Sequence, residues 1–171
     1  EQKHLDDCLD VIRKNIKYYE LRISEYKRET DELFQAIRKG DVELYDQLFA
    51  SQNILEHARK SLHRNQAAAK KAFFGRIDYR ETTNGIRESW YIGKNGISID
   101  RTNLLIVDWR APVSSVYYEN EMGTGVYQPA DDGEPVEIDL TKKRTYDVSG
   151  DRMLGYYDND AVSNDELLVK Y

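Results

Sequence analysis

Ten positions in the first forty residues constrain the fold more than anything else in this chain. Leu5, Leu9, Ile12, Ile16, Tyr19, Ile23, Tyr26, Thr30, Leu33 and Ile37 follow one another in alternating steps of four and three. All but Thr30 are apolar, and an apolar repeat of this period forms the seam of a coiled coil. The positions between them are mostly Asp, Glu, Lys and Arg, as a solvated helix face requires. Gly40 suits the left-handed residue that ends a helix, and Asp41 is placed to cap the next one. The second helix is expected from about Asp41 to Ala72, with Leu44, Leu48, Ser51, Leu55, Ala58, Leu62, Asn65, Ala69 and Ala72 on its seam.

Folding the chain back at Gly40 aligns positions whose numbers sum to 81. Tyr26 then faces Leu55, Ile23 faces Ala58, Tyr19 faces Leu62 and Ile12 faces Ala69. Large residues meet small or medium ones, which favours close packing. Thr30 faces Ser51 and Ile16 faces Asn65, polar entries that fix register at some cost in stability. A hairpin of this length projects roughly 45–50 Å. Too thin to enclose a catalytic core, it suits a lever, a spacer or a probe.

Residues 73–171 have a different character. Residues 1–72 hold 14 Lys+Arg and 13 Asp+Glu, net +1; the remainder hold 11 and 18, net −7. All three prolines and nine of the ten glycines fall after Ala72. Strands are expected at 74–80, 89–94, 96–100, 104–109, 115–119, 125–128, 136–140, 143–148 and 152–157. Asn84-Gly85, Asn95-Gly96, Asp132-Gly133 and Ser149-Gly150 punctuate them with hairpin chemistry. The spacing leaves no room for helices between strands, so the sheet is expected to be antiparallel. The stretch Ser163-Asn164-Asp165-Glu166 has the form of a capping box opening a helix. The expected fold is therefore α+β: a long antiparallel coiled-coil hairpin (1–72), then a small antiparallel β-sheet or partly closed barrel (73–171), then the start of a C-terminal helix.

The chemistry is mostly negative. No GxxxxGK[ST] or GxGxxG loop occurs, nor a GxSxG elbow. His4, His57 and His63 all lie on the hairpin, with no zinc spacing to Cys8. No catalytic residue, cofactor site or metal site is expected in this chain. The lone cysteine excludes an internal disulfide and fits a reducing, cytoplasmic setting. No run approaches the roughly eighteen apolar residues of a membrane span. The net charge of −6 argues against a dedicated nucleic-acid binder. Asp108 and Arg110 flank Trp109, share one strand face and are expected to pair beside a buried tryptophan. Lys142-Lys143-Arg144 reads as a solvated strand end. The first residue is Glu1 rather than Met, and a piece of a longer protein is expected.

Several motifs occur in sequence. The junction reads Phe73-Phe74-Gly75-Arg76-Ile77-Asp78-Tyr79, and Trp90-Tyr91-Ile92-Gly93 follows. Next comes Asp108-Trp109-Arg110-Ala111-Pro112-Val113-Ser114-Ser115-Val116-Tyr117-Tyr118, then Lys143-Arg144-Thr145-Tyr146 and Asp165-Glu166-Leu167-Leu168. In order and separation this set resembles the amino-terminal part of the HelD family, helicase-like RNA polymerase recycling factors of Gram-positive bacteria. The run from Asp108 to Ser115 is its most specific element. The resemblance covers most of residues 73–171 and in the hairpin rests on architecture more than on sequence.

The resemblance implies a parent ATPase of the UvrD/Rep-like superfamily 1, whose adenine-recognising and Walker A motifs, with their ATP and magnesium, come after Tyr171. It implies RNA polymerase as partner, with the hairpin in its secondary channel, and the parent's own motor domains as neighbours of the β unit. Partner contacts then fall at the hairpin tip, on Arg38, Lys39, Asp41, Glu43 and Asp46. The motif residues Phe74, Gly75, Arg76, Asp78, Gly93, Asp108, Trp109, Arg110, Pro112, Ser114, Ser115 and Tyr118 are expected to serve the fold. Two other functions remain open at this point: part of a helicase acting directly on DNA, or a non-enzymatic coiled-coil interaction module.

Overall fold

The computed structural model describes residues 1–100, 103–130, 132–159 and 169–170. Two helices form the expected hairpin: α1 (Gln2–Arg38) and α2 (Tyr45–Lys70). At 37 residues, α1 is about 55 Å long. The register is the one in which numbers sum to 81, since the Thr30 and Ser51 hydroxyls hydrogen-bond at 3.0 Å. Near the base the packing face rotates by one position. Ser61 and Ala68 are buried on α2, where Leu62 and Ala69 were expected. Asn15 rather than Ile16 reaches Asn65, at 3.1 Å. A straight helix drifts by about 20° per heptad against a 3.5-residue seam, and here it turns toward the sheet it rests on.

Burial is graded along α1, whereas α2 has buried residues from Leu48 to Ala68. Leu5, Cys8, Leu9 and Ile12 are buried at the base of α1. Tyr19, Ile23, Tyr26, Leu33 and Ile37 are half-buried, because farther out each helix has only the other to pack against.

The β unit departs from the expected antiparallel sheet or partly closed barrel. Its strands are β1 (Gly75–Glu81), β2 (Arg87–Gly93), β3 (Ile97–Ser98), β4 (Leu104–Asp108), β5 (Gly123–Tyr127), β6 (Val136–Ser149), β7 (Arg152–Asp158) and β8 (Val169–Lys170). They form an open, mixed sheet in the order β3-β4-β2-β1-β6-β7-β8, with β5 beside β6. The parallel element is β2 against β4, with Ile92 opposite Val107 and Gly93 opposite Asp108. After Gly93 the chain runs along the edge as β3, which pairs antiparallel with β4, and the described residues of this crossover contain no helix. Strand spacing alone did not anticipate such a loop crossover.

Two further corrections concern single elements. Residues 136–140 and 143–148, expected as separate strands, are one continuous β6, in which Thr141 is skipped by the register and hydrogen-bonds the Asp78 carbonyl at 3.0 Å. Residues 115–119, expected as a strand, form a short helix α3 (Ser115–Glu119) after a 3₁₀ turn with Pro112 at its start. A fixed proline φ and the Ser114 amide bonding the Ala111 carbonyl start the turn, overriding the β preference of Val116-Tyr117-Tyr118. The capping box at Asp165-Glu166 lies outside the described residues. Val169–Lys170 is strand β8, so a C-terminal helix does not run through these two residues.

Two apolar clusters face opposite sides of the sheet. Tyr91 packs against one and Ile92 belongs to the other, and consecutive strand residues point to opposite faces. The first cluster joins Leu5, Leu9 and Ile12 of α1 to Ala68, Phe73, Ile106, Tyr146 and Met153, so the hairpin base and the sheet share a core. The second joins Ile77, Tyr79, Ile92, Ile138 and Leu140 under Val116 of α3. No helix among the described residues is long and apolar enough to cross a membrane.

Candidate functional site at the hairpin tip

The far end of the rod is built by a helix stop. The Gly40 amide bonds the Ile37 carbonyl at 3.0 Å and the Asp41 amide bonds the Ala36 carbonyl at 3.2 Å. This is the Schellman arrangement, and it needs the positive φ of 108° that Gly40 adopts. The expected capping of α2 by Asp41 is not found. Asp41 makes no side-chain cap bond, a 3₁₀ turn over Val42–Leu44 intervenes, and α2 starts at Tyr45.

Arg38, Lys39, Asp41, Glu43 and Asp46 are all exposed at this end. None of the five makes an ion pair among the described residues. Both signs are therefore presented to solvent within nine residues of chain.

The sequence reading missed the apolar part of the tip. Phe34 is 51% exposed, Val42 61%, Tyr45 57% and Phe49 67%. Phe34 and Tyr45 each follow a seam residue (Leu33, Leu44), which in an antiparallel pair puts them on the same flank of the hairpin. Phe49 lies one turn beyond Tyr45 on that flank. The available signal was large apolar residues at non-seam positions of an otherwise charged helix surface. Side chains of this kind, unpartnered and clustered, mark interaction sites on soluble proteins.

At the other end of the rod, the motif residues mostly do structural work. A Cβ on Gly93 would lie 2.5 Å from the Ala72 carbonyl oxygen, and one on Gly75 would lie 2.8 Å from the Tyr117 ring. Both glycines are close-approach sites, one at the joint between hairpin and sheet and the other beneath α3. Phe74 packs edge-on to Tyr117 with centroids 5.9 Å apart. Arg76 grips Asp78 through two bonds of 2.8 and 3.0 Å. Arg144, expected in a solvated strand end, is instead half-buried between Asp158 and Glu1, bonding each at 2.5 Å. Its guanidinium holds the Asp158 carboxyl below the usual carboxylate range.

Asp108 and Arg110 pair as expected, through bonds of 3.0 and 2.9 Å plus the Arg110 amide at 2.8 Å. Ser114 is fully buried and donates to the Asp108 carbonyl at 2.8 Å, and Ser115 donates to the Pro112 carbonyl at 2.7 Å. These bonds lock the turn from β4 into α3. Trp109 does not anchor the core. Its side chain is 45% exposed and touches Tyr118, itself 50% exposed. Strand β4 ends at Asp108, so the alternation that would have turned Trp109 inward stops one residue before it.

Among the described residues, no group of three or more His, Cys, Asp or Glu side chains has the arrangement to hold a metal ion. The tip's chemistry is that of surface recognition: exposed aromatic area, flanking charge of both signs and a rigid mount. Comparison with curated proteins finds no match. The family model described as "DNA helicase IV HelD, N-terminal domain" matches residues 1–167, nearly the whole chain, and the chain therefore belongs to the HelD family as its N-terminal region.

Proposed function

We propose that this region docks a HelD-type ATPase onto RNA polymerase, with the hairpin entering the polymerase secondary channel to help release or recycle the enzyme in the cytoplasm. The observation that carries the reading is the dressing of the rod's free end: Phe34, Val42, Tyr45 and Phe49 stand exposed beside five charges that make no ion pair among the described residues. A channel probe must be long and thin, with its own seam satisfied, and must keep its adhesive groups for the far end. The helix lengths, the Thr30–Ser51 register bond and the Schellman stop meet those needs. In this reading the aromatic flank supplies affinity, while Arg38, Lys39, Asp41, Glu43 and Asp46 steer and orient. The β unit mounts the hairpin on the motor domains. ATP and magnesium are handled by those domains, and this chain by itself turns over no nucleotide.

The test is binding of the chain to immobilised core RNA polymerase. Phe34→Ser with Phe49→Ser should weaken binding by about thirtyfold, the scale of a lost hot spot. Removing Leu33–Leu48 and closing the helices with a short turn should abolish it, while far-UV circular dichroism still reports folded helices. Unchanged affinity in both variants refutes the proposal.

A further inference from the structure

Beside the base of the hairpin lies a second surface that neither the fold nor the tip accounts for. Trp109 and Tyr118 are the two aromatic residues of the Asp108–Tyr118 motif whose side chains stay largely exposed. They meet edge to face with centroids 6.3 Å apart, and the Arg110 guanidinium lies 5.8 Å from the Trp109 ring centre. Next to them, Arg59, Lys60, His63 and Arg64 of α2 line an open depression of about 420 Å³ with Asn95 of the β2–β3 turn.

The two features adjoin at the β2–β3 turn. The Trp109 amide bonds the Gly93 carbonyl at 2.9 Å, and a Cβ on Gly96 would lie 3.6 Å from the Asp108 amide nitrogen, so the turn carrying Asn95 abuts the Asp108-Trp109-Arg110 segment. The hydrogen bonds from Arg110, and to a lesser degree the charge of Arg64, keep the Asp108 carboxyl below its usual range.

The charge there opposes that of the chain as a whole. The acids of the patch are already engaged: Glu56 with Lys60 at 3.3 Å and Asp108 with Arg110 at 2.9 Å. Arg59 and Arg64 are exposed and make no ion pair among the described residues. A chain of net −6 thus concentrates uncompensated cations in one place, beside two exposed rings.

From this juxtaposition we infer that the patch binds single-stranded nucleic acid, a base stacking on Trp109 while phosphates lie against Arg59, Arg64 and Arg110. Exposed aromatics interleaved with cations are how proteins hold single strands without reading sequence. An acidic peptide would use the cations but leave the indole without work. A duplex would offer phosphates but no base face. This site is separate from the hairpin tip: Arg59 lies about 21 Å along the helix from Tyr45 at the start of α2.

The inference is tested on the 171-residue chain with Trp90→Phe, which leaves Trp109 as its single tryptophan. Oligo-dT and oligo-rU of about ten nucleotides are titrated while Trp109 fluorescence is read. Saturable quenching by either is the expected result, with affinity falling as salt rises. Arg59→Gln with Arg64→Gln should reduce the slope of log affinity against log salt by roughly 1.4, two phosphate contacts' worth. Binding of the Trp109→Ala chain, followed by anisotropy of a labelled oligonucleotide, should be about tenfold weaker at fixed salt with the slope unchanged. Trp109→Phe, which keeps an aromatic face, should recover most of that loss, and Trp109→Leu, which lacks one, serves in place of the alanine variant if that misfolds. No saturable signal, equal binding by the Trp109→Ala chain, or displacement of the oligonucleotide by polyglutamate at equal concentration would each overturn the inference.

Discussion

Replacing Phe73 by alanine should unfold the hairpin and the sheet together. Phe73 sits at the joint between α2 and β1 and is fully buried in the cluster that takes Leu5, Leu9 and Ile12 from α1 and Tyr146, Val148 and Met153 from the sheet. Its ring meets three others, with centroids 5.7 Å from His4, 4.9 Å from Tyr91 and 5.0 Å from Tyr146. Truncating a buried phenylalanine costs about 3–5 kcal/mol through lost transfer energy and the cavity left behind. Each aromatic pair adds about 0.5–1.5 kcal/mol beyond area, which places this site at the upper end, about 4–5 kcal/mol. That is a large share of the roughly 5–15 kcal/mol typical of a domain. The assay is urea unfolding followed by two probes at once. Ellipticity at the helix band reports mainly α1 and α2; tryptophan fluorescence reports Trp90 and Trp109, both in the β unit. A shared core requires the two transitions to coincide and to shift together in the variant. A fluorescence midpoint that stays put while the helix signal moves would refute the joint core.

Two other outcomes follow from burial and charge. Burial pushes the Cys8 thiol up to about 12, so native Cys8 should react with a thiol reagent at pH 8 about a hundredfold or more slowly than in urea; equal rates would place it at the surface. Asp158 titrates below its ordinary 3.8 in the folded chain because Arg144 bonds it, so its stabilisation is present above that value and is lost as pH falls through the folded pKa. Urea midpoints should therefore drop below about pH 4, and Arg144→Gln should flatten that acid limb; an equally steep limb in the variant would count against the pairing.

How much was legible from residues alone depended on the range of the interaction. The hairpin register was readable because two seams of the same period have few ways to align, and Thr30 opposite Ser51 marks the one adopted. Most strands were readable from alternation and from turns such as Asn84-Gly85. The Asp108–Arg110 pair was readable because both partners lie within one turn. The parallel contact between β2 and β4 was not, because a two-residue pairing leaves almost no pattern in sequence. Helix α3 was hidden by β-favouring residues, since what decides it is Pro112 and the hydrogen bond from Ser114 to Asp108. Trp109 was misplaced because strand alternation was extended one residue past the end of β4. At the tip, attention to charge passed over Phe34, Tyr45 and Phe49, whose exposure follows from lying just off the seam.

A rod clamped at one end behaves as a cantilever, and bending stress in a cantilever is greatest at its root. Here full burial on α1 stops at Ile12, and Asn15 bonds the carbonyl of Ser98 at 3.2 Å. Ser98 belongs to β3, which pairs with β4, the strand that ends in Asp108. A sideways push on the tip is therefore delivered to the β3–β4 edge rather than dissipated along the seam. From Asn15 to Arg38 the arm is about 35 Å, so a tilt of about 10° at the root carries the tip through about 6 Å. The same ratio works in reverse: a tip held to within about 1 Å fixes the tilt at the root, and so at the sheet edge, to within about 2°.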